Sequence, residues 1–238
     1  MERIITWENL RRFAYSNDAL VTGKPRGVIL EFMGLGGAKI YDEDPEYAAA
    51  LAQKRILFLI PYLNPWNWMN AQAVAYTDEL LDVLRARYGA DLPVVSPGGS
   101  MGGLCALVYT RYAARTPVAC AANCPVCDLP YHYTERPDLP RTLLSAFAAD
   151  GAATLEEAMR KRSPLHLAGE MPDIPYMVCH CEEDRAVNLR MHSERFVAAM
   201  RPAHRITFRT VPGRGHCDLD EAALAAYRQF AEDTLPEG

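Results

Sequence analysis

The sequence predicts an α/β fold, with a mostly parallel central sheet and helices on both faces. Short apolar stretches typical of buried strands alternate with segments of helical periodicity along almost the whole chain. Loops rich in glycine or charged residues follow several of these stretches, as expected where strands lead into helices. The chain has 238 residues, of which 50% are hydrophobic, so we expect one domain over residues 1–238.

The elements are assigned in chain order. Residues 3–22 are predicted to form a short leading hairpin, and Asp44 and Pro45 begin the first helix as N-cap and first-turn proline. Gly89 is the predicted stop of the second helix. Apolar faces of two helices are formed by Val74, Leu81, Leu84 and Tyr88, and by Leu104, Leu107, Val108 and Tyr112. The predicted core strands are residues 28–33, 55–60, 92–97, 118–123, 174–181 and 205–211, and the last helices are residues 189–200 and 221–230.

Residues 128–172 interrupt this alternation with scattered prolines and a helical patch at residues 154–161. The segment is longer than a simple strand-to-helix connection needs, and such insertions are often lids or binding loops. We predict a cap over the functional site, with a surface excursion that completes the core as the alternative. The side chains that would either pack the insertion down or line a pocket are Leu143, Leu144, Phe147 and Met159.

The strongest functional signal is the motif Gly-x-Ser-x-Gly around Ser100, directly after a predicted strand. In such a nucleophile elbow, the serine lies in a sharp strand-to-helix turn, and the glycines let neighbouring backbone pass closely. Ser100 is therefore a candidate nucleophile. An ordinary glycine-rich turn is the alternative, so the other parts of a catalytic site have to follow in order.

A serine hydroxyl needs a general base, and the base needs an orienting acid. A carboxylate cluster that contains Asp184 follows the strand at residues 174–181, and a loop that contains His216 follows the strand at residues 205–211. The carboxyl ends of parallel strands meet at one edge of a sheet, so these groups are expected near Ser100. Glu182 and Glu183 are alternatives to Asp184.

An oxyanion hole requires two backbone N–H groups aimed at a developing negative charge. One donor is expected directly after the nucleophile, at Met101, and the other in a loop after an early strand. The glycine-rich residues 34–37 follow the strand at residues 28–33, which makes Leu35 the second candidate. The alternative is that these glycines only form a turn.

Together these motifs make the chain resemble the α/β-hydrolases, in particular the catalytic domains of the prolyl oligopeptidase group and small carboxylesterases of the feruloyl-esterase type. The resemblance implies the α/β-hydrolase fold and a triad of Ser100, Asp184 and His216. Two positions depart from the family pattern: Met33 stands where a histidine usually precedes the oxyanion glycine, and Cys181 stands where glycine often precedes the acid.

The resemblance implies acyl transfer to Ser100, with His216 as base and then acid and Asp184 fixing the imidazole, and it requires no cofactor or metal. We expect small to medium carboxylic esters as substrates. A peptidase or acyl-amide hydrolase is the catalytic alternative, although only about 25 residues precede the first core strand, where such peptidases carry a propeller. A non-catalytic binding protein on the same fold is the third hypothesis.

Three aromatic residues, Tyr62, Trp66 and Trp68, follow the strand at residues 55–60, with amides between them. Aromatic rings and amides suit the wall of a ligand pocket, so these residues are candidates for substrate binding. The alternative is that they anchor the loop by packing.

The seven cysteines suggest reduced thiols, because their number is odd and no export signal is visible. Cys120, Cys124 and Cys127 with His132 resemble a metal set only weakly, since no second matched pair exists. We therefore predict no metal site. Cys217, beside His216, is a candidate for exposure and oxidation.

Charge and hydropathy exclude several partners. A net charge of −5 gives no basic surface for nucleic acid, and no apolar run reaches the length of a membrane span. The expected partner is a small-molecule ester or a short peptide, the expected location is the cytoplasm, and the sequence does not predict the oligomeric state.

Overall fold

The computed structural model describes residues 4–88 and 92–237. The strands are β1 (Ala14–Ser16), β2 (Gly27–Leu30), β3 (Ile56–Pro61), β4 (Val94–Gly99), β5 (Ala119–Asn123), β6 (Tyr176–Cys181) and β7 (Ile206–Val211). The described residues form a seven-stranded sheet in the order β1-β3-β2-β4-β5-β6-β7. Only the β1–β3 pair is antiparallel among these strands. The predicted mostly parallel sheet is confirmed.

Helices connect the parallel strands. They are α1 (Glu46–Gln53), α2 (Ala71–Tyr88), α3 (Met101–Tyr112), α4 (Leu129–Glu135), α5 (Leu139–Phe147), α6 (Leu155–Lys161), α7 (Pro164–Leu167), α8 (Arg195–Met200) and α9 (Glu221–Asp233). Trp7–Arg12 and Ala168–Glu170 are 3₁₀ turns, and the π-helical turn Arg190–Glu194 leads into α8. The predicted stop at Gly89 lies outside the described residues. Within those residues, no helix combines the length and apolar character of a membrane span.

Alternate side chains of β3 show how the sheet is covered on both faces. Leu57 and Leu59 belong to the large apolar cluster that includes the inward faces of α2 and α3. Ile56, Phe58 and Ile60 belong to a second cluster, which includes residues of α1 and α9. Because successive side chains of a strand point to opposite faces, this division places helices on each side of the sheet, as predicted.

The predicted leading hairpin is wrong. Within residues 4–22, the described part of this segment, the structure has one short strand, β1, which follows a 3₁₀ turn and pairs with β3, so that Ala14 lies opposite Pro61. The side chain of Asn17 extends this pairing by accepting a hydrogen bond from the Phe58 backbone N–H, at 2.7 Å. The partner of this segment is far along the chain, and a local turn pattern does not reveal it.

Residues 128–172 fold into α4 to α7 and a 3₁₀ turn, and the predicted helical patch corresponds to α6. Leu143, Phe147 and Met159 belong to the main apolar core, so these side chains pack the insertion down. Leu144 is 57% exposed. Whether the segment acts as a cap stays a prediction.

Candidate active site

Ser100 lies between β4 and α3 with a backbone conformation of φ 59° and ψ −125°. Non-glycine residues rarely adopt a positive φ, and strained backbone of this kind is concentrated at functional sites. The Ser100 N–H donates to the carbonyl of Asn123, at 2.9 Å, and its own carbonyl accepts from the N–H of Gly103, at 3.0 Å. These bonds fix the turn while the side chain remains partly exposed.

The two glycines of the motif are required by close backbone packing. A Cβ atom on Gly98 would overlap the carbonyl of Gly102, and a Cβ atom on Gly102 would overlap the carbonyl of Phe32. The first turn of α3 can therefore approach β4 and the end of β2 only because both positions lack side chains. This packing holds Ser100 above the sheet.

The structure brings Ser100, His216 and Asp184 together. His216 Nε2 lies 2.8 Å from Ser100 Oγ, and His216 Nδ1 lies 2.6 Å from Asp184 Oδ2. Ser100 follows β4, Asp184 follows β6 and His216 follows β7. All three lie at the carboxyl edge of the sheet, as predicted. Glu182 and Glu183, the alternatives for the acid, are both exposed. Of the three acidic candidates, Asp184 is the one that pairs with His216.

The carboxylate of Asp184 is fully buried and has several donors. Its Oδ1 atom accepts the backbone N–H groups of Ala186 and Val187, at 2.8 and 2.9 Å. Burial raises the pKa of Asp184, but the hydrogen bonds from His180, His216 and the Val187 N–H outweigh burial and hold the pKa well below its usual range. The group is an anion at neutral pH.

The pKa of His216 is raised to about 9. Burial lowers it, but hydrogen bonds to Asp184 and Cys124 and the attraction of the Asp184 carboxylate outweigh that effect. In the neutral ring, the proton at Nδ1 faces Asp184, which leaves the lone pair of Nε2 directed toward the Ser100 hydroxyl. This tautomer can accept the serine proton.

The two candidate oxyanion donors flank the serine. A Cβ atom on Gly34 would lie 3.8 Å from the Ser100 Cβ, so the loop that carries Leu35 approaches the nucleophile. A hydrogen bond from the Gly37 N–H to the Gly34 carbonyl, at 3.0 Å, closes that loop. Among the described residues, the backbone N–H groups of Leu35 and Met101 have no acceptor. Both donors are free for a ligand oxygen.

The three predicted aromatic contacts have different environments. Tyr62 and Trp66 line a cavity of about 230 Å³, and Trp66 is 38% exposed. Trp68 is fully buried, and its indole N–H donates to the hydroxyl of Thr142, at 3.1 Å. A pocket-wall role for Trp68 is therefore wrong, because its ring anchors α5 of the insertion to the core.

The cavity adjoins the oxyanion loop. Leu63 and Asn67 line both this cavity and a smaller space beside Gly34 and Met101. Ala146 of α5 also lines the larger cavity. The insertion therefore contributes to the lining of a cavity that adjoins the oxyanion loop.

Two thiols lie beside His216, and the sequence analysis placed only one of them, Cys217, next to this histidine. Cys124 directly follows β5, which lies between the strands that lead to Ser100 and Asp184, and its Sγ atom accepts the N–H groups of Cys181 and Cys217. The Sγ atom of Cys217 lies 3.8 Å from His216 Nε2. The adjacency of Cys217 to His216 in the sequence was the available signal.

No protein-family model matches the sequence, and no curated protein matches it. Several solved structures are similar to this chain. A Mycobacterium tuberculosis puromycin-hydrolyzing peptidase superposes with a TM-score of 0.72 at 17% identity, over 91% of this chain and 35% of that chain. An S-formylglutathione hydrolase from Agrobacterium tumefaciens superposes with a TM-score of 0.67 at 17% identity, over 90% of this chain and 86% of that chain. Esterase PE8 superposes with a TM-score of 0.59 at 17% identity, over 90% of this chain and 95% of that chain.

The chain has the α/β-hydrolase fold. It spans about a third of the length of the puromycin-hydrolyzing peptidases it matches. Within this α/β-hydrolase fold, Met33 departs from the residue expected before the oxyanion glycine. Its side chain packs against Gly37 so closely that a Cβ there would overlap it. Apolar packing therefore holds the loop at this position.

Proposed function

We propose that this chain is a serine hydrolase that cleaves small to medium carboxylic esters through an acyl-enzyme on Ser100. The observation that carries the proposal is the continuous hydrogen-bonded chain from Asp184 through His216 to Ser100, with distances of 2.6 and 2.8 Å. Its members lie on a strained elbow and on two loops, and such a group activates an otherwise weak nucleophile.

The reaction proceeds in two halves. The Ser100 oxygen attacks the ester carbonyl while its proton passes to His216 Nε2, and the N–H groups of Leu35 and Met101 stabilise the oxyanion. The imidazolium then protonates the departing alkoxide, which leaves the acyl group on Ser100. In the second half, His216 removes a proton from water, the resulting attack releases the acid, and the proton returns to Ser100.

The proposed acyl site is the cavity that Leu63 and Asn67 share with the oxyanion loop. Its volume of about 230 Å³ lies below the roughly 300–1,000 Å³ of pockets that hold drug-sized ligands. A short or medium acyl group fits such a space, with the exposed ring of Trp66 and the hydroxyl-bearing ring of Tyr62 as contacts. The likeness to esterase PE8 and to the S-formylglutathione hydrolase supports ester or thioester chemistry.

A peptidase or acyl-amide hydrolase is the second candidate. The likeness to the puromycin-hydrolyzing peptidase favours it, because peptidases cleave amide bonds and that protein has a similar fold. An amide leaving group needs protonation by His216 more than an alkoxide does, so amide and ester substrates separate the two candidates.

The test combines a fluorophosphonate probe with a substrate panel. Wild type and Ser100→Ala are treated with the probe, then assayed on p-nitrophenyl esters from acetate to decanoate and on aminoacyl anilides. Labelling of wild type alone, with ester turnover, supports the esterase. Anilide turnover above ester turnover favours the peptidase. No labelling and no turnover in a folded protein overturns the proposal and favours a binding protein.

Three accompanying statements stay predictions. The reaction as written uses no cofactor, the partner is a small ester or a short peptide, and the location is the cytoplasm. All seven cysteines are free thiols, which agrees with a reducing compartment.

A further inference from the structure

Two cysteine thiols lie beside His216, the residue that the proposed reaction uses as its base. Cys124 follows β5 and Cys217 follows His216, and donor atoms of these three residues all lie within 4.8 Å of one another. Thiolates and imidazole form the ligand set preferred by Zn²⁺ and related thiophilic divalent cations. The cluster therefore has the chemistry of a metal site.

The distance between two of the donors is close to that of tetrahedral coordination. Zinc binds thiolate sulfur at about 2.3 Å and imidazole nitrogen at about 2.0–2.1 Å, which places the two ligand atoms about 3.6 Å apart. The observed distance from Cys217 Sγ to His216 Nε2 is 3.8 Å. A metal ion between them requires only a small adjustment of the side chains.

The groups behind the ligands also suit a metal. His216 Nδ1 is bound to the Asp184 carboxylate, the arrangement that commonly orients a metal-binding histidine and leaves Nε2 as the donor. Cys124 Sγ already accepts the backbone N–H groups of Cys181 and Cys217, at 3.3 and 3.4 Å, so this donor atom is held in place.

Both cysteines have an uncommon backbone conformation. Cys124 has φ 45° and Cys217 has φ 58°, a region that residues other than glycine seldom occupy. Cys124 is buried, whereas Cys217 and His216 are partly exposed, so an ion can enter from solvent. The three donors are therefore accessible from the side of Cys217 and His216.

Two other groups of donor atoms are less suited. The first joins Cys124 to His180 and Asp184, but both ring nitrogens of the fully buried His180 already have partners. The second lies on the insertion and centres on Glu135, whose carboxylate already pairs with two buried histidines. Neither group has a free donor that faces solvent.

We infer that Cys124, Cys217 and His216 form an inhibitory site for Zn²⁺ or another thiophilic divalent cation. Binding releases the two thiol protons to solvent and commits the Nε2 lone pair of His216 to the metal, so that it cannot accept the Ser100 proton. The inhibition rests on the proposed function. The binding itself does not, because it needs no turnover.

Binding is tested first, in the full chain carrying Ser100→Ala, with a phosphine reductant present and Co²⁺ as the probe. One ion per chain with sulfur-to-cobalt charge-transfer absorption is expected, and Zn²⁺ should displace it. Adding Cys217→Ser should weaken binding by at least about tenfold, since losing a ligand costs more than losing a group behind one. Cys120→Ser is the matched control, because that buried thiol of β5 contacts the hydroxyls of Ser96 and Thr110 instead.

Inhibition is tested separately, in the wild-type protein. Zn²⁺ should block ester turnover, a chelator should restore it, and the Cys217→Ser variant should resist the metal. Equal affinity for cobalt with and without Cys217→Ser would overturn the metal site. Cobalt spectra without thiolate absorption would overturn it too. Cys124→Ser should also weaken cobalt binding, and if that variant fails to fold, Cys217→Ser alone decides. Thiolate-bound cobalt without any ester turnover would support the site and count against the proposed function.

Discussion

His180 Nε2 lies 3.4 Å from Asp184 Oδ2, the same oxygen that pairs with His216. The His180 ring is fully buried, and its Nδ1 atom contacts the hydroxyl of Ser193, at 2.7 Å. The Nε2 atom also lies 3.1 Å from the carbonyl of Val187, so a second histidine lies between the orienting acid and the backbone of the loop after β6. This histidine lies inside β6, where the sequence gives no sign that its side chain faces Asp184.

Replacing His180 by phenylalanine should weaken both the fold and the site. A hydrogen bond to a charged group contributes roughly 1.5–3 kcal/mol, and its loss raises the pKa of Asp184 while burial remains. We expect a similar drop in the free energy of unfolding, measured with denaturant, and a fall in kcat of about tenfold. His180→Gln, which keeps an amide donor, should recover part of kcat. Equal kcat in His180→Phe and wild type would contradict the positioning role.

The pH dependence should follow His216. Its pKa is raised to about 9, and the protonated ring cannot accept the Ser100 proton. The value of kcat/KM should therefore rise with pH and reach half its maximum near that pKa. A limb centred at the ordinary histidine pKa of about 6.5 would show that the Asp184 carboxylate does not act on the ring as described.

Asp184→Asn should lower kcat by about 10⁴-fold, because the amide favours the wrong imidazole tautomer. The remaining activity should show its acidic limb at lower pH, since the anion that raises the pKa of His216 is gone. Glu183→Gln is the matched control, as Glu183 is exposed and its backbone N–H bonds to Arg214. A large loss in the control with an active Asp184→Asn variant would reassign the acid.

The elbow glycines give a prediction about folding. A Cβ atom on Gly102 would overlap the Phe32 carbonyl, which is backbone and cannot rotate away. Gly102→Ala should destabilise the protein by about 1–3 kcal/mol or more and should abolish probe labelling of Ser100. Gly169→Ala is the control, because a Cβ atom on Gly169 would meet nothing within 4 Å and its φ is not positive. Similar unfolding midpoints for both variants would contradict the packing argument.

The sequence predicted the parts of the fold that depend on local patterns. Buried strands such as Ile56–Pro61 are continuous apolar runs, and the glycines beside Ser100 mark a turn that few other residues tolerate. It failed at β1, whose pairing with β3 depends on a distant partner. It also missed Cys124 beside His216, because that contact arises only when β5 is inserted between β4 and β6.

The two tryptophans of the loop after β3 separate stability from substrate binding. Trp68 is fully buried and bonds to Thr142, so Trp68→Ala should cost about 3–5 kcal/mol in the free energy of unfolding. Trp66 lines the cavity and is partly exposed beneath the guanidinium of Arg141, at 5.6 Å. Trp66→Ala should leave the unfolding midpoint nearly unchanged and raise KM for the longer esters. Denaturant unfolding and ester kinetics on both variants check this, and an unchanged KM in Trp66→Ala would place the acyl group elsewhere.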